Sequence, residues 1–268
     1  MYKYEGRIIH ESHDDDGVLE VVDYKGVRSL HFGSSSRQSS MLLAEPDKLE
    51  LSYVRAMTSW LLFRQNWEEA LLIGLGGGSL AKFMLHHFSK GHIKAVEYRQ
   101  SVVRVARSHF GLPMDSRLKI IISDGGDYVR QRTETYREKY CLLMVDAFDH
   151  EGMAESINNE AFFDGCKALL KKDGILVVNL WGGTKNPVFQ QVALWLGKVF
   201  NWKILFLPVR NRGNIIALAF NEGTPLFSLK ELKSKAETLE QTYQVEFSVL
   251  LKDLCKHNAS TLSQVITI

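Results

Sequence analysis

The sequence has few cysteines, no excess of charge of one sign and no long apolar run. Its three cysteines, Cys141, Cys166 and Cys255, are widely separated and form no C-x-x-C pair, which fits a reducing cytosol better than a disulfide framework and gives no metal-site spacing. The 33 basic and 31 acidic residues leave a net charge of +2, which argues against a dedicated nucleic-acid-binding protein. No apolar run approaches the roughly 18 residues of a membrane-spanning helix, and the polar residues 1–6 are unlike a signal peptide. We therefore expect a cytoplasmic protein with no metal, membrane or nucleic-acid partner.

The 268 residues, 45% of them hydrophobic, are enough for one large α/β domain with a small appendage. Residues 1–50 are predicted to form the appendage, a small β-domain. Its strands are expected at 7–10, 18–22 and 27–32, because these runs are apolar or β-branched and are separated by turn residues. A sheet of three short strands is marginally stable alone. An oligomer contact is one use for it, and residues 51–268 form the larger domain.

From residue 51 onwards, apolar runs alternate with segments of helical spacing. Helices are predicted at 51–63, 79–89, 100–110, 125–134, 158–170, 186–199 and 228–242, the last from a capping box at 228–231. Strands are predicted at 69–74, 92–97, 118–122, 140–146, 173–181, 201–208 and 213–220. This alternation predicts a mostly parallel sheet covered on both faces, closed by an antiparallel hairpin because 210–213 is too short for a crossover. The fold class is α/β, with the Rossmann-like sheet typical of AdoMet-dependent methyltransferases behind a small N-terminal β-domain.

A glycine-rich turn follows the first strand of this predicted sheet. The run 69–74 breaks into Gly74-Leu-Gly76-Gly77-Gly78, a helix follows, and the next strand ends in Glu97. Glycines let a ligand approach the backbone closely, and the helix N-terminus beyond them offers free N–H groups. An acid at the end of the second strand can accept two hydrogen bonds from ribose hydroxyls. The pattern predicts a nucleoside-binding site.

Further acids follow the third and fourth strands. Asp124-Gly125 comes after the third strand, where a carboxylate can hold an adenine amine, and Asp146 and Asp149 end the fourth. Ligands in such sheets bind at the carboxyl ends of the strands, so these residues are expected along one edge. Two carboxylates at the mouth of the pocket can hold a cationic amine and take its proton. The alternative is that one of them caps the following helix and the other is solvated.

The order of these motifs resembles a known family. Gln38, Tyr53, an Ile-Gly-x-Gly-x-Gly turn, Val-Glu, Asp-Gly and Asp-x-x-Asp together resemble the spermidine synthase (polyamine aminopropyltransferase) family over roughly residues 5–220. The resemblance implies a small β-domain followed by a Rossmann-like domain. It implies transfer of an aminopropyl group from decarboxylated S-adenosylmethionine (AdoMet) to a small amine such as putrescine, in a homodimer or larger assembly.

The resemblance also implies a role for each matching residue. Asp146 would be the catalytic base that deprotonates the attacking amine, and Asp149 and Tyr53 would hold the acceptor. The nucleoside would be bound by the glycine turn and by polar residues on neighbouring segments. That set comprises Gln38, Gly74, Gly76, Gly77, Glu97, Asp124 and Gly125.

Three positions depart from the family pattern. Gly77 stands where the family has an aspartate that grips the amino group of the donor, and Arg55 and Arg210 stand where it has Glu and Tyr. The changes remove negative charge or add positive charge, so we predict that both arginines contact the substrate. They would favour a carboxylate, either of intact AdoMet or of an amino-acid-like acceptor. Alternatively, they point to solvent or pair with acids such as Glu50 and Glu151.

Three functions remain open at this point. The leading interpretation is a spermidine synthase-like aminopropyltransferase. The second is a methyltransferase that uses intact AdoMet, favoured by the missing acid at Gly77. The third is a protein that binds a nucleoside without turnover, against which Asp146 argues.

Overall fold

The structure is a computed structural model that describes residues 4–147, 153–183 and 186–268. The N-terminal sheet is antiparallel and has the strand order β1-β2-β3-β4. Its strands are β1 (Arg7–Asp14), β2 (Gly17–Tyr24), β3 (Val27–His31) and β4 (Ser39–Leu42). The sequence predicted three strands and missed β4. The short segment Ser-Ser-Met-Leu has no strand pattern of its own and becomes a strand by pairing with β3.

The central sheet contains seven strands in the order β10-β11-β9-β8-β5-β6-β7. All neighbours run parallel except that β11 is antiparallel to both β9 and β10, as the short 210–213 connection predicted. The strands are β5 (Glu69–Ile73), β6 (His92–Glu97), β7 (Leu118–Ile122), β8 (Tyr140–Val145), β9 (Leu170–Trp181), β10 (Ile204–Pro208) and β11 (Asn214–Phe220). The α/β fold class predicted from the sequence is confirmed.

Helices cover both faces of this sheet, and no helix in the described ranges is long and apolar enough to cross a membrane. The predicted helix 51–63 is α1 (Ser52–Met57) followed by a 3-10 helix, Thr58–Leu62. The others are α2 (Ser79–His87), α3 (Gln100–His109), α4 (Gly125–Arg132), α5 (Glu160–Leu169), α6 (Pro187–Val199), α7 (Leu229–Tyr243) and α8 (Phe247–His257). Helices α4, α5 and α6 pack on one face; α1, α2, α3, α7 and α8 pack on the other. Side chains alternate between the two faces along each strand of the central sheet. Successive residues therefore pack into the two different hydrophobic cores, one on each face of the sheet.

Helix α3 joins the N-terminal sheet to the central sheet. Its residues Val102 and Val105 pack with Leu19 and Leu30 of the N-terminal sheet. At the start of the helix, the Arg99 Nη2 donates to Asp14 Oδ1 over 2.6 Å, at the end of β1. An apolar contact and an ion pair therefore hold the N-terminal sheet in place beside the carboxyl edge of the central one.

The C-terminal region contains more structure than the sequence predicted. Helix α7 agrees with the predicted 228–242, but the capping box was wrong: within the described part of the chain, Ser228 occupies the N-cap without a side-chain capping bond. Helix α8 was missed, as was the parallel pair β12 (Phe227–Ser228) and β13 (Ile266–Thr267). Strand β10 begins at Ile204 rather than at 201, because Asn201 and Trp202 have positive φ and form a turn.

Candidate active site

The carboxyl ends of β5 and β8 bring the glycine turn and Asp146 together. The Asp146 N–H donates to the Ile73 carbonyl over 2.8 Å, and the Gly74 N–H donates to the Val96 carbonyl over 2.9 Å. Gly74 has φ +89°, and a Cβ built there would lie 2.1 Å from the Asp146 carbonyl oxygen. Any other residue at 74 would therefore push the turn away from Asp146.

The Asp146 carboxylate is held by two side chains. Asn179 donates from Nδ2 to Asp146 Oδ1 over 2.8 Å, and the Tyr53 hydroxyl lies close enough to the same carboxylate to lower its pKa. Burial raises the pKa of Asp146, and the hydrogen bonds from Asn179 and Tyr53 oppose that rise by stabilising the carboxylate. The raised pKa makes the Asp146 carboxylate a stronger base than an exposed aspartate.

Tyr53 links Asp146 to the N-terminal sheet. Its hydroxyl also lies 3.3 Å from the Gln38 carbonyl oxygen, just before β4. Burial and the neighbouring Asp146 charge raise the pKa of Tyr53 well above its ordinary value, so the phenol keeps its proton. Tyr53 therefore acts as a hydrogen-bond donor at this site, and the predicted residues Gln38 and Tyr53 both lie against it.

Glu97, at the end of β6, accepts a backbone hydrogen bond from the glycine turn. Its Oε2 accepts from the Leu75 N–H over 2.9 Å and its Oε1 from the Arg99 N–H over 3.0 Å. Burial raises the pKa of Glu97, while these backbone bonds lower it. The Gly76 N–H is a third backbone donor to this carboxylate, and two carboxylate oxygens can accept about four hydrogen bonds in all. The predicted contact of Glu97 with a nucleoside stays a prediction.

The glycine at position 77 lies close to the side chains of Ser39 and Phe110. A Cβ at Gly77 would lie 2.8 Å from the Ser39 Oγ and 3.0 Å from the Phe110 ring. The neighbouring Gly76 has φ +53° and faces Ser39 at an ordinary contact distance of 3.6 Å. A side chain at 77 would require the Ser39 hydroxyl to rotate and the Phe110 ring to shift slightly, so the position is tightly packed.

Asp124 and Gly125 lie at the start of α4. Asp124 Oδ1 accepts from the Asp127 N–H over 2.8 Å, which caps the helix, and Oδ2 accepts from the Ser156 hydroxyl over 2.7 Å. A Cβ at Gly125 would lie 2.5 Å from the Ile73 Cγ2, so the helix start packs directly on β5. Both residues have structural roles, and their contact with a nucleoside stays a prediction. Asp149 lies outside the described residues.

Both arginines of the predicted acceptor site are paired with acids. Arg55 Nε donates to Glu246 Oε2 over 3.0 Å, and its Nη1 donates to the Glu50 carbonyl over 2.6 Å. Arg210 Nε donates to Asp253 Oδ2 over 2.6 Å, which raises the pKa of Arg210 and lowers that of Asp253. The acids come from the segment before α8 and from α8 itself. Their charges offset the two cations, and contact of either arginine with substrate stays a prediction.

Two asparagines of the site were missed by the sequence interpretation. Asn179 lies on β9, and Asn214, at the start of β11, donates from Nδ2 to Asn179 Oδ1 over 3.0 Å. Both are buried. The sequence does mark Asn179, because it is the polar residue within the apolar run 175–181. A polar side chain inside a buried strand needs a hydrogen-bond partner. The sequence did not indicate which partner.

Comparison with known proteins gives the family. The model of the spermine/spermidine synthase domain matches residues 50–197. A polyamine aminopropyltransferase from Chromobacterium violaceum is 34% identical over 249 residues, covering 92% of this chain and 93% of that protein. An eEF1A lysine and N-terminal methyltransferase from Mus musculus is 34% identical over 116 residues, covering 41% of this chain and 17% of that protein.

A solved structure of similar fold agrees with this result. A crystal structure of spermidine synthase in complex with the transition state analogue AdoDATO superposes with a TM-score of 0.69 at 19% identity, covering 93% of this chain and 89% of that one. At this identity the similarity shows the fold alone, whereas the domain match and the aminopropyltransferase relative show the family. The chain therefore belongs to the spermine/spermidine synthase family and is a transferase of the polyamine aminopropyltransferase type.

Proposed function

We propose that this chain transfers an aminopropyl group from decarboxylated AdoMet to a small amine such as putrescine. The observation that carries the proposal is the position of Asp146. Its backbone lies directly against Gly74 of the glycine turn, and its carboxylate is held by Asn179 and Tyr53. A base whose pKa is raised by burial, next to a predicted nucleoside site, suits proton removal from an amine that attacks a bound donor.

The reaction needs a neutral amine. Asp146 accepts a proton from the acceptor's ammonium group, and the freed nitrogen lone pair attacks the donor carbon that is bonded to the sulfonium. A C–N bond forms, the C–S bond breaks, and its electron pair stays on sulfur, which leaves as the neutral thioether methylthioadenosine. The product nitrogen then carries the positive charge as a secondary ammonium, and Asp146 passes the proton that it accepted to solvent, which restores the carboxylate. No acid is needed for the leaving group, so positioning and one base suffice.

The remaining predicted residues complete the proposal. Gln38, Glu97 and Asp124 would contact the nucleoside, with the glycines of the turn and Gly125 allowing its close approach. Asp149 would help hold the acceptor. Tyr53 supports the base, because a phenol with a raised pKa donates a hydrogen bond at neutral pH without losing its proton.

Assembly, location and domain division are further parts of the proposal. The edge strand β1 of the N-terminal sheet has a mostly half-exposed or exposed surface, which supports a contact in a homodimer or larger assembly. We expect a cytoplasmic enzyme.

The end of β4 at Leu42 and the start of α1 at Ser52 support a domain boundary near residue 50.

A methyltransferase that uses intact AdoMet is the second candidate. The absence of the donor-binding acid at Gly77 favours it, and Ser39 and Phe110 lie close to that position. The similarity to the eEF1A methyltransferase points the same way. The pairing of Arg55 with Glu246 and of Arg210 with Asp253 argues against it, because compensated cations attract a donor carboxylate weakly.

Calorimetry distinguishes the two candidates. AdoMet, decarboxylated AdoMet and methylthioadenosine are titrated into the purified protein, and each donor is then incubated with putrescine. Tighter binding of decarboxylated AdoMet and formation of spermidine are expected. Preference for intact AdoMet, with no spermidine formed, would replace aminopropyl transfer with methyl transfer as the proposed function.

A further inference from the structure

Trp181 is an exposed aromatic residue at the carboxyl edge of the central sheet. It is the last residue of β9, and 56% of its surface is exposed. Side chains alternate along a strand, so Trp181 projects from the same face as Asn179, which bonds to Asp146. The two residues are separated by about 7 Å along the strand. The indole therefore lies at the carboxyl edge of the sheet, one position farther along the same face of β9 than Asn179.

Gly213 provides the surface on which the indole rests. Trp181 pairs with Asn214 across β9 and β11, and the Gly182 N–H donates to the Gly213 carbonyl over 3.1 Å. A Cβ at Gly213 would lie 3.1 to 3.3 Å from three atoms of the indole ring. The glycine thus lets the ring lie close to the hairpin backbone. The ring is supported on one side while more than half of the residue stays exposed.

The chemistry of an indole suits one end of an amine acceptor. An exposed aromatic face attracts an ammonium group through its quadrupole, with tryptophan the strongest of the aromatic residues. The same face also packs against methylene groups. An acceptor whose one amine reaches Asp146 would extend its remaining chain along the strand towards Trp181.

We propose that Trp181 is a specificity-determining residue for the acceptor. Its indole receives the end of the acceptor that does not react, an alkyl chain that ends in an ammonium group. The role of Asp146 as base in this statement rests on the proposed function. Gly213 is a positioning residue, because it holds the indole in place without touching the acceptor.

Trp202 offers a matched control. It is 49% exposed, and its ring packs on Gly197 much as the Trp181 ring packs on Gly213. It lies just before β10, which runs parallel to β9 because β11 is antiparallel to both. Trp202 therefore stands at the opposite edge of the sheet, away from Asp146.

Steady-state kinetics with putrescine test the proposal. Trp181→Ala is expected to raise KM for putrescine about tenfold with little change in kcat, because contacts to the non-reacting end contribute to binding rather than to the chemical step. Trp181→Phe keeps an aromatic face and should recover most of the loss, and Trp202→Ala should resemble the wild type. Affinity for methylthioadenosine should be the same in all of them. An unchanged KM in Trp181→Ala, or a parallel loss of kcat and nucleoside affinity, would overturn the proposal.

Fluorescence separates this proposal from the proposed function. Putrescine is titrated into the protein saturated with methylthioadenosine, in the Trp181→Phe and Trp202→Phe variants. If the emission change requires Trp181 but the wild type forms no spermidine, the residue assignment stands and the proposed function fails. If spermidine forms but the emission change persists in Trp181→Phe, the assignment fails and the proposed function stands. If putrescine neither binds nor reacts, both fail.

Discussion

Asn179 on β9 donates a 2.8 Å hydrogen bond to Oδ1 of Asp146, at the end of the neighbouring strand β8. Asn214 supports this contact from β11 by donating to Asn179 Oδ1 over 3.0 Å. The orientation of the Asp146 carboxylate is thus set by side chains on the next two strands of the sheet, β9 and β11. Because the donors are fixed by strand pairing rather than by a loop, the carboxylate is held before any substrate arrives.

Removal of the base should slow turnover strongly and leave nucleoside binding nearly unchanged. We expect Asp146→Asn to lower kcat by about 100-fold to 10,000-fold, the usual contribution of a positioned general base. Affinity for methylthioadenosine should change little, because the amide keeps the size of the carboxylate. Stopped assays of spermidine formation and calorimetry measure the two quantities. A rate within about tenfold of the wild type would exclude Asp146 as the base.

Loss of the asparagine contact should shift the pH profile. The bond from Asn179 stabilises the charged form of Asp146 and lowers its pKa, so Asn179→Ala should raise that pKa further. The acid limb of kcat/KM should then move to higher pH, because more alkaline conditions are needed to ionise the base. The profile is measured across the acid limb in both proteins.

Asn221→Ala is the control for this shift. Asn221 is also buried and donates to the Lys171 carbonyl over 3.0 Å, but it follows β11 at the opposite edge of the sheet. Its loss should lower stability without moving the profile. An acid limb that moves equally in both variants, or in neither, would contradict the role of Asn179.

An acid placed at position 77 of the glycine turn should lower the stability of the protein. Gly77→Asp is expected to cost about 1–3 kcal/mol of the free energy of unfolding, since its Cβ would meet Ser39 and the Phe110 ring. Gly77→Ala should lose a similar amount, because the clash is at Cβ and not at the carboxylate. Denaturant unfolding checks both. A Gly77→Asp protein of normal stability that binds decarboxylated AdoMet more tightly would show that the site tolerates the acid.

The acid partner of Arg210 should influence acceptor binding through charge. Asp253→Asn leaves the Arg210 cation uncompensated in the turn beside Gly213, so KM for dicationic putrescine should rise by about twofold to fivefold at low salt. Added salt should remove the effect, because exposed charges are screened. Asp115→Asn is the control, since Asp115 pairs with Arg117 over 2.6 Å before β7, at the opposite edge. An equal rise in both variants, or one that salt leaves unchanged, would argue against this mechanism.

Local sequence patterns were sufficient to predict the strands of the central sheet. The alternation of apolar runs with helical spacing predicted all seven strands, and the short 210–213 connection predicted the antiparallel β11, because chain length limits how two strands can be joined. The same reasoning predicted that Gly74 and Asp146 would share one edge. They do, since parallel strands end on the same side of a sheet.

Contacts between distant segments were decided by the tertiary structure. Strand β4 exists because β3 pairs with it, and β12 pairs with a strand near residue 266, so neither has a local signal. The partners of the two arginines, Glu246 and Asp253, come from the end of the chain. The sequence alone determined the fold class, the glycine turn and the position of Asp146 at the carboxyl edge of the sheet, because periodicity and strand polarity are local properties. Only the folded chain decided which acids offset Arg55 and Arg210, and which amide orients Asp146, because those pairings depend on strand order and helix packing.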